Sequence, residues 1–127
     1  MKLAINLILQ SNRAALAEGM VFAERLGLDT QIFLDAARRS AAGSKVMDSK
    51  GEKMRLREFT AQSHISQTLK DAELILREAK MRDLPLPMTS AQISLLRVAI
   101  VKQGPDADSS AIIAAFDPLP PREGRPR

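Results

Sequence analysis

Met1-Lys2-Leu3-Ala4-Ile5-Asn6-Leu7-Ile8-Leu9 opens the 127-residue chain, and the reading of this stretch decides the fold. Every side chain in it except Lys2 and Asn6 is apolar, and the pattern continues as one long helix to about Arg25. Lys2 and Asn6 are four residues apart, so on an α-helix they stand one turn above each other on one face. Leucine and isoleucine cover most of the remaining surface, and a helix apolar on nearly all sides is expected to be buried. A lysine in the first turn gains nothing from the helix macrodipole, which favours carboxylates at that end. Lys2 therefore calls for a reason other than helix stability.

Working outward, Ala14-Ala15-Leu16-Ala17-Glu18-Gly19-Met20 keeps side chains small where neighbouring helices are expected to pack. Gly27 is placed to close the helix as a left-handed cap. Asp29 or Thr30 then caps a second helix with Ile32, Phe33, Ala36 and Ala37 at helical spacing, ending on Arg38-Arg39. From Ser40 to Thr60 the pattern weakens, with Val46, Met47, Met54, Leu56 and Phe59 as the only anchors, and one or two short helices are expected. A long helix follows from about Ser63 to Arg82. Ile65, Leu69, Ala72, Leu76 and Ala79 form its inward stripe, which Leu74 and Ile75 broaden. The prolines of Asp83-Leu84-Pro85-Leu86-Pro87 impose an extended link. Thr89 or Ser90 caps the next helix, through Ile93, Leu96, Ile100 and Val101, stopped at Gly104-Pro105. Asp108 or Ser109 caps a last short helix, Ala111 to Phe116. No stretch reads as a strand, so the class is all-α: a helical bundle in residues 1–116, followed by a Pro/Arg-rich tail, 117–127, expected to be disordered.

Composition narrows the chemistry. The length suits one domain with a real core and is short for a complete cofactor-dependent enzyme. There is no cysteine, hence no disulfide framework or thiolate metal site, and His64 is the single histidine, so a multi-histidine metal site cannot be assembled. The opening apolar run is too short and too soon interrupted to span a bilayer, and it lacks signal-peptide features; neither a membrane nor export is expected, and the cytoplasm is the expected location. The net charge is +4, but the excess lies partly at Arg122, Arg125 and Arg127 and otherwise alternates with acids. With no Trp or Tyr, and four phenylalanines that do not interleave with a basic patch, nucleic acid is not an expected partner. The six glycines form neither a dinucleotide fingerprint nor a phosphate loop.

The order of features nevertheless resembles a particular family. Lys2-Leu3-Ala4-Ile5-Asn6, Ala17-Glu18-Gly19, and Glu24-Arg25-Leu26-Gly27-Leu28-Asp29 are similar to the start of the C-terminal domain of the β-hydroxyacid dehydrogenases. The similarity continues in Phe59, in Leu69-Lys70-Asp71, in Leu84-Pro85-Leu86-Pro87, and in Gly104 to Asp108-Ser109-Ser110-Ala111-Ile112. The family includes 3-hydroxyisobutyrate dehydrogenase, tartronate semialdehyde reductase and glyoxylate/succinic semialdehyde reductases. The resemblance implies a fold like the C-terminal domain of 6-phosphogluconate dehydrogenase. It places the catalytic lysine at Lys2 and a substrate-holding asparagine at Asn6. Lys70 falls beside substrate and nicotinamide, and Asp108 and Ser110 fall towards the cofactor. Ser63 stands where the family often has a phenylalanine, and the adjacent His64 is expected to be a capping or surface residue.

The resemblance also implies NAD or NADP as cofactor, held by an N-terminal Rossmann domain that these residues do not contain. The chain is thus expected to be a substrate and oligomerisation domain, from a truncated or split gene or a fragment. By itself it is expected to bind no cofactor and to show no turnover, with a separately supplied Rossmann domain as a possible partner. A homodimer is expected, because the apolar first helix would otherwise expose a large patch. The alternative reading is a non-enzymatic helical module that binds another protein.

Overall fold

The computed structural model describes residues 1–118. Five α-helices run in order: α1 (Lys2–Arg25), α2 (Thr30–Arg39), α3 (Lys45–Leu56), α4 (Ile65–Lys80) and α5 (Pro87–Gln103). A terminal 3-10 helix spans Ser109–Phe116. Among the described residues there is no strand, only an isolated antiparallel bridge between His64 and Asp108. α1 packs against every other helix, the terminal one included. The architecture is therefore the all-α bundle around a long first helix that the sequence implies.

Local chemistry explains where the elements begin and end. Asp29 caps α2 by accepting from the amides of Gln31 and Ile32 at 2.9 and 3.0 Å. α1 closes in a Schellman turn: Gly27 has φ of 79°, its amide donates to Glu24 O, and the Leu28 amide donates to Ala23 O. The same pair of hydrogen bonds recurs after α3 and α4, but there the left-handed residues are Arg57 and Asp83, each with a Cβ. Arg57 is held in that conformation by side-chain contacts. Its guanidinium bonds both carboxylate oxygens of Glu24, at 3.0 and 2.8 Å, and both of Asp117, at 2.9 Å. Chiefly the hydrogen bonding to Asp117, then that to Glu24, raises the Arg57 pKa against the opposing effect of burial. Asp117, read as the first tail residue, is thus tied to the bundle; residues 119–127 of the tail lie outside the described residues.

The core gathers Met20 from α1, Leu34 from α2, Met54 from α3, Ile65 from α4, Leu96 from α5, and Ile112 and Ile113 from the terminal helix, all essentially inaccessible. Gly51 lets α3 approach α2: a Cβ there would meet the Leu34 methyl groups at 2.8 Å.

The weakly patterned 40–60 region contains one twelve-residue helix, α3, within the one or two short helices expected there; its buried residues are Val46, Met47, Lys50, Gly51 and Met54. Three expectations are corrected. α5 starts at Pro87 rather than after a Thr89 or Ser90 cap; proline suits the first helical position because it has no amide to leave unsatisfied, and Thr89 is buried instead. Leu74, expected to broaden the inward stripe of α4, is exposed, and Val101, through which α5 runs, is 85% exposed. The opening stretch is not buried: Ile5, Ile8 and Leu9 are 57%, 59% and 41% exposed, and the buried positions of α1 begin at Gln10.

Candidate functional site

Lys2, Asn6, Gln10 and Arg13 share one face of α1, since successive residues turn by about 100° and these four fall within roughly 80° of one another. Exposure falls along this polar stripe. Lys2 is exposed, Asn6 is half-buried, and Gln10 and Arg13 are buried. Gln10 Nε2 donates to the carbonyl of Thr68 in the first turn of α4, at 3.3 Å. Further along, Leu3 and Leu7 line a groove with Ile75 and Ala79, so α1 and α4 run antiparallel. This register puts Lys70, exposed on α4, near the level of Gln10. Lys2 lies further towards the open end of the pair. Asn6 and Lys70 thus stand on adjacent helices, Lys70 about one turn further in, with Lys2 towards the open end; no hydrogen bond among the described residues joins the three.

The start of α4 is fixed by Asp108. This carboxylate is wholly buried and surrounded by donors. Lys50 Nζ lies 2.9 Å from Oδ1 and 3.0 Å from Oδ2. The amides of Gln62 and Ser63 donate to Oδ1 at 2.9 and 3.2 Å, and the Ser110 amide donates to Oδ2 at 2.9 Å. Burial alone would raise its pKa, but interaction with Ser110, Lys50 and the Gln62 amide outweighs that and holds it well below the usual carboxylate range. The segment before α4 is laced to the same region by further bonds, from Ile65 N to Ala107 O, Ser66 N to Pro105 O, Asp108 N to Phe59 O and Ser109 N to Ser63 O. Ser63 Oγ and Ser109 Oγ are 2.8 Å apart.

Asp108 and Ser110, which the family resemblance places towards the cofactor, are therefore interior residues. They meet each other and Lys50, not the exposed ends of Lys2 or Lys70. His64 stands at the start of α4 without a side-chain capping bond, and its Nδ1 lies 3.4 Å from Asp106 Oδ1 at the surface. Lys50, Gln10 and Arg13 were not anticipated as site residues. For Gln10 and Arg13 a signal existed, because they continue the Lys2 and Asn6 face at helical spacing. Lys50 offered none, being one of several lysines in a polar stretch.

Among the described residues no group of three or more His, Cys, Asp or Glu side chains is arranged to hold a metal. No helix there is long and apolar enough to cross a membrane.

A helical domain built around an exposed lysine and a half-buried asparagine in the first two turns of its central helix is the class that fold and site define. The chain belongs to the 3-hydroxyisobutyrate dehydrogenase family: residues 1–116 match the family model described as NAD-binding of NADP-dependent 3-hydroxyisobutyrate dehydrogenase. It is 32% identical over 119 residues to a probable 3-hydroxyisobutyrate dehydrogenase-like protein, mitochondrial, of Arabidopsis thaliana, covering 93% of this chain and 35% of that one. It is 30% identical over 116 residues to 2-hydroxy-3-oxopropionate reductase of Escherichia coli, covering 91% and 40%. The crystal structure of 3-hydroxyisobutyrate dehydrogenase from Salmonella typhimurium superposes with a TM-score of 0.86 at 26% identity, over 91% of this chain and 40% of that one. The chain thus spans roughly a third to two fifths of the length of these relatives.

Proposed function

We propose that residues 1–116 form the C-terminal substrate-binding and dimerisation domain of an NAD(P)-dependent 3-hydroxyacid dehydrogenase-like oxidoreductase, working in the cytoplasm. The observation that carries this reading is the Lys2/Asn6 pair at the accessible start of α1, in a chain whose family match runs from residue 1 to 116.

The chemistry follows from the residue types. A reduced nicotinamide, when bound, would supply a hydride to a substrate carbonyl. The oxygen that receives the electron pair becomes an alkoxide and needs a proton, which the Lys2 ammonium donates from the end of α1. Asn6, one turn on, hydrogen-bonds the substrate without adding charge. Lys70, exposed on the neighbouring α4, supplies a second positive charge that orients a substrate carboxylate.

The described residues fit the reacting end of NAD or NADP and not its phosphates. Lys2 and Lys70 present accessible ammonium groups, whereas the glycines build no phosphate turn and Asp108 and Ser110 are sealed in the interior. In this reading Asp108 and Ser110 are positioning residues that seat α4, and the dinucleotide is cradled by a Rossmann domain outside residues 1–118.

The test is NAD(P)H-dependent reduction of small semialdehydes and glyoxylate. The 127-residue chain alone is expected to give no turnover, and mixing it with a separately expressed Rossmann domain of a relative is expected to restore it. Lys2→Met should then lower kcat by about 100-fold or more, the usual contribution of a general acid. Robust turnover by the chain alone, or restored turnover insensitive to Lys2→Met, overturns the reading. Capture of an unrelated protein by the exposed apolar side of α1, without restored turnover, favours the interaction-module alternative.

A further inference from the structure

Ile5, Ile8, Asn12, Ala15, Gly19 and Phe22 recur on α1 at alternating steps of three and four, and at 100° per residue they fall within about 100° of one another. The row is accessible: Gly19 is half-buried and the other five are exposed. It lies about 145° round the helix from the polar stripe of Lys2, Asn6, Gln10 and Arg13. A three-four row of mainly apolar residues is the seam along which a second helix packs, yet no described helix covers this one. Its two ends differ in relief. Ile5 and Ile8 project as a ridge, because the outer half of α1 meets α4 through Leu3 and Leu7 on another side. Along the inner half the small residues of the row floor two hollows that share Ala15. One, of about 480 Å³, is bounded by Asn12 and Gly19 and by Phe33 and Ala36 of α2. The other, of about 180 Å³, opens towards Met88 and Ala91 of α5.

We infer that this row is the contact between two copies of the chain, the two α1 helices running antiparallel, with Ile8 of each copy seated in the hollow over Gly19 of the other. The register follows from the row itself. A two-fold axis midway between Asn12 and Ala15 sets Ile5 opposite the partner's Phe22, Ile8 opposite the partner's Gly19 and Asn12 opposite the partner's Ala15, and each pairing occurs twice, as an isologous contact requires. The ridge of one copy thereby fills the hollows of the other. A parallel pair would set ridge on ridge and hollow on hollow, Gly19 against the partner's Gly19, and leave the hollows empty. The two copies of Asn12 flank the axis, and one polar pair in an apolar seam fixes register at some cost in stability. This contact rests on the dimerisation in the proposed function and not on the dehydrogenase chemistry, since the Lys2 and Asn6 face stays outside the seam.

The chain has no cysteine, so introduced thiols report the register without interference. Sedimentation of the 127-residue chain is expected to show a dimer with a Kd of about 10 μM or below. Ile5→Cys and Phe22→Cys are then made separately, at exposed positions whose loss leaves the core of each copy intact. Mild oxidation of an equimolar mixture of the two should give a disulfide-linked heterodimer, identified by mass. Either variant alone should stay unlinked, because the two copies of residue 5 are then separated by the rise from residue 5 to residue 22, about 25 Å, far beyond the Cα separation of about 7 Å that a disulfide spans. No linkage in the mixture, or linkage of either variant alone, overturns the antiparallel register while leaving dimerisation standing. A parent chain that stays monomeric at about 1 mM overturns both the contact and the proposed dimerisation. Turnover restored by an added Rossmann domain is read separately and bears on the dehydrogenase chemistry alone.

Discussion

The two halves of α1 invert the usual relation between side-chain chemistry and position. From Leu3 to Leu9 the helix is almost wholly apolar, yet Ile5, Ile8 and Leu9 face outward. From Gln10 to Ala23 it is more polar and small, yet it holds the centre of the core and buries Gln10 and Arg13. The difference is one of neighbours. The inner half is enclosed by the other helices, and small residues such as Ala17 and Ala23 let them approach closely. The outer half touches α4 along only one side, through Leu3 and Leu7. Apolar pattern thus reports where a helix can be covered, while the covering depends on elements the pattern does not mention.

The contrast can be broken from the inside first. Asp108→Ala should cost about 3–5 kcal/mol, since it strands the Lys50 ammonium in the interior; urea unfolding measures it. Met20→Ala, at a position with no exposed surface, should cost about 2–5 kcal/mol by the same measurement. The outer half should respond differently: Ile8→Ala is expected to change monomer stability by less than about 0.5 kcal/mol. In the proposed homodimer, Ile8→Glu should instead abolish self-association, read by sedimentation, with the monomer fold intact. A cost above 2 kcal/mol for Ile8→Ala at dilutions where the chain is monomeric would show that the outer half is covered within one chain.

Acid sharpens the same comparison. The folded-state pKa of Asp108 is held below its unfolded value, so the unfolded chain binds the proton first as pH falls. Its stabilising contribution is complete above the ordinary carboxylate range, near pH 4, and shrinks as pH drops through that range towards the folded value. Glu58, depressed to about 2 by Thr60 and then Lys53, acts in the same direction. The thermal midpoint should therefore fall steeply below about pH 4, and Asp108→Asn should flatten but not abolish the slope. A small effect of the opposite sign is expected at Asp83, whose φ of 56° carries a Cβ penalty. Asp83→Gly should stabilise by a few tenths to about 1 kcal/mol in thermal melts, the relief of the left-handed conformation exceeding the added freedom of the unfolded chain.

Much of the fold was legible because its signals are local. Gly27, Asp29 and Asp108 mark helix ends through their own backbone or side-chain chemistry, and the Ile65, Ala72, Ala79 spacing states the buried face of α4. α3 was not legible as one helix because two of its five buried positions are Lys50 and Gly51. A lysine and a glycine at the centre of an inward stripe read as surface and breaker. Each makes sense only opposite a residue far away in sequence, Lys50 opposite Asp108 and Gly51 opposite Leu34. In the candidate site, Lys2, Asn6 and Lys70 were recognisable by resemblance. Arg13 belonged to their periodicity, but its burial depends on the packing of the terminal helix against α1, which no local pattern encodes.

The lacing of residues 59–66 to residues 105–110 has a consequence for the order of folding. The first turn of α4 takes its hydrogen bonds from carbonyls about forty residues downstream, so its seating is a long loop closure whose entropic cost is met only when the end of the domain docks. The helix that carries Lys70 is then expected to be among the last elements to gain full hydrogen-exchange protection during refolding. As the chain emerges from a ribosome, its start stays unpinned until Ser110 is free to fold.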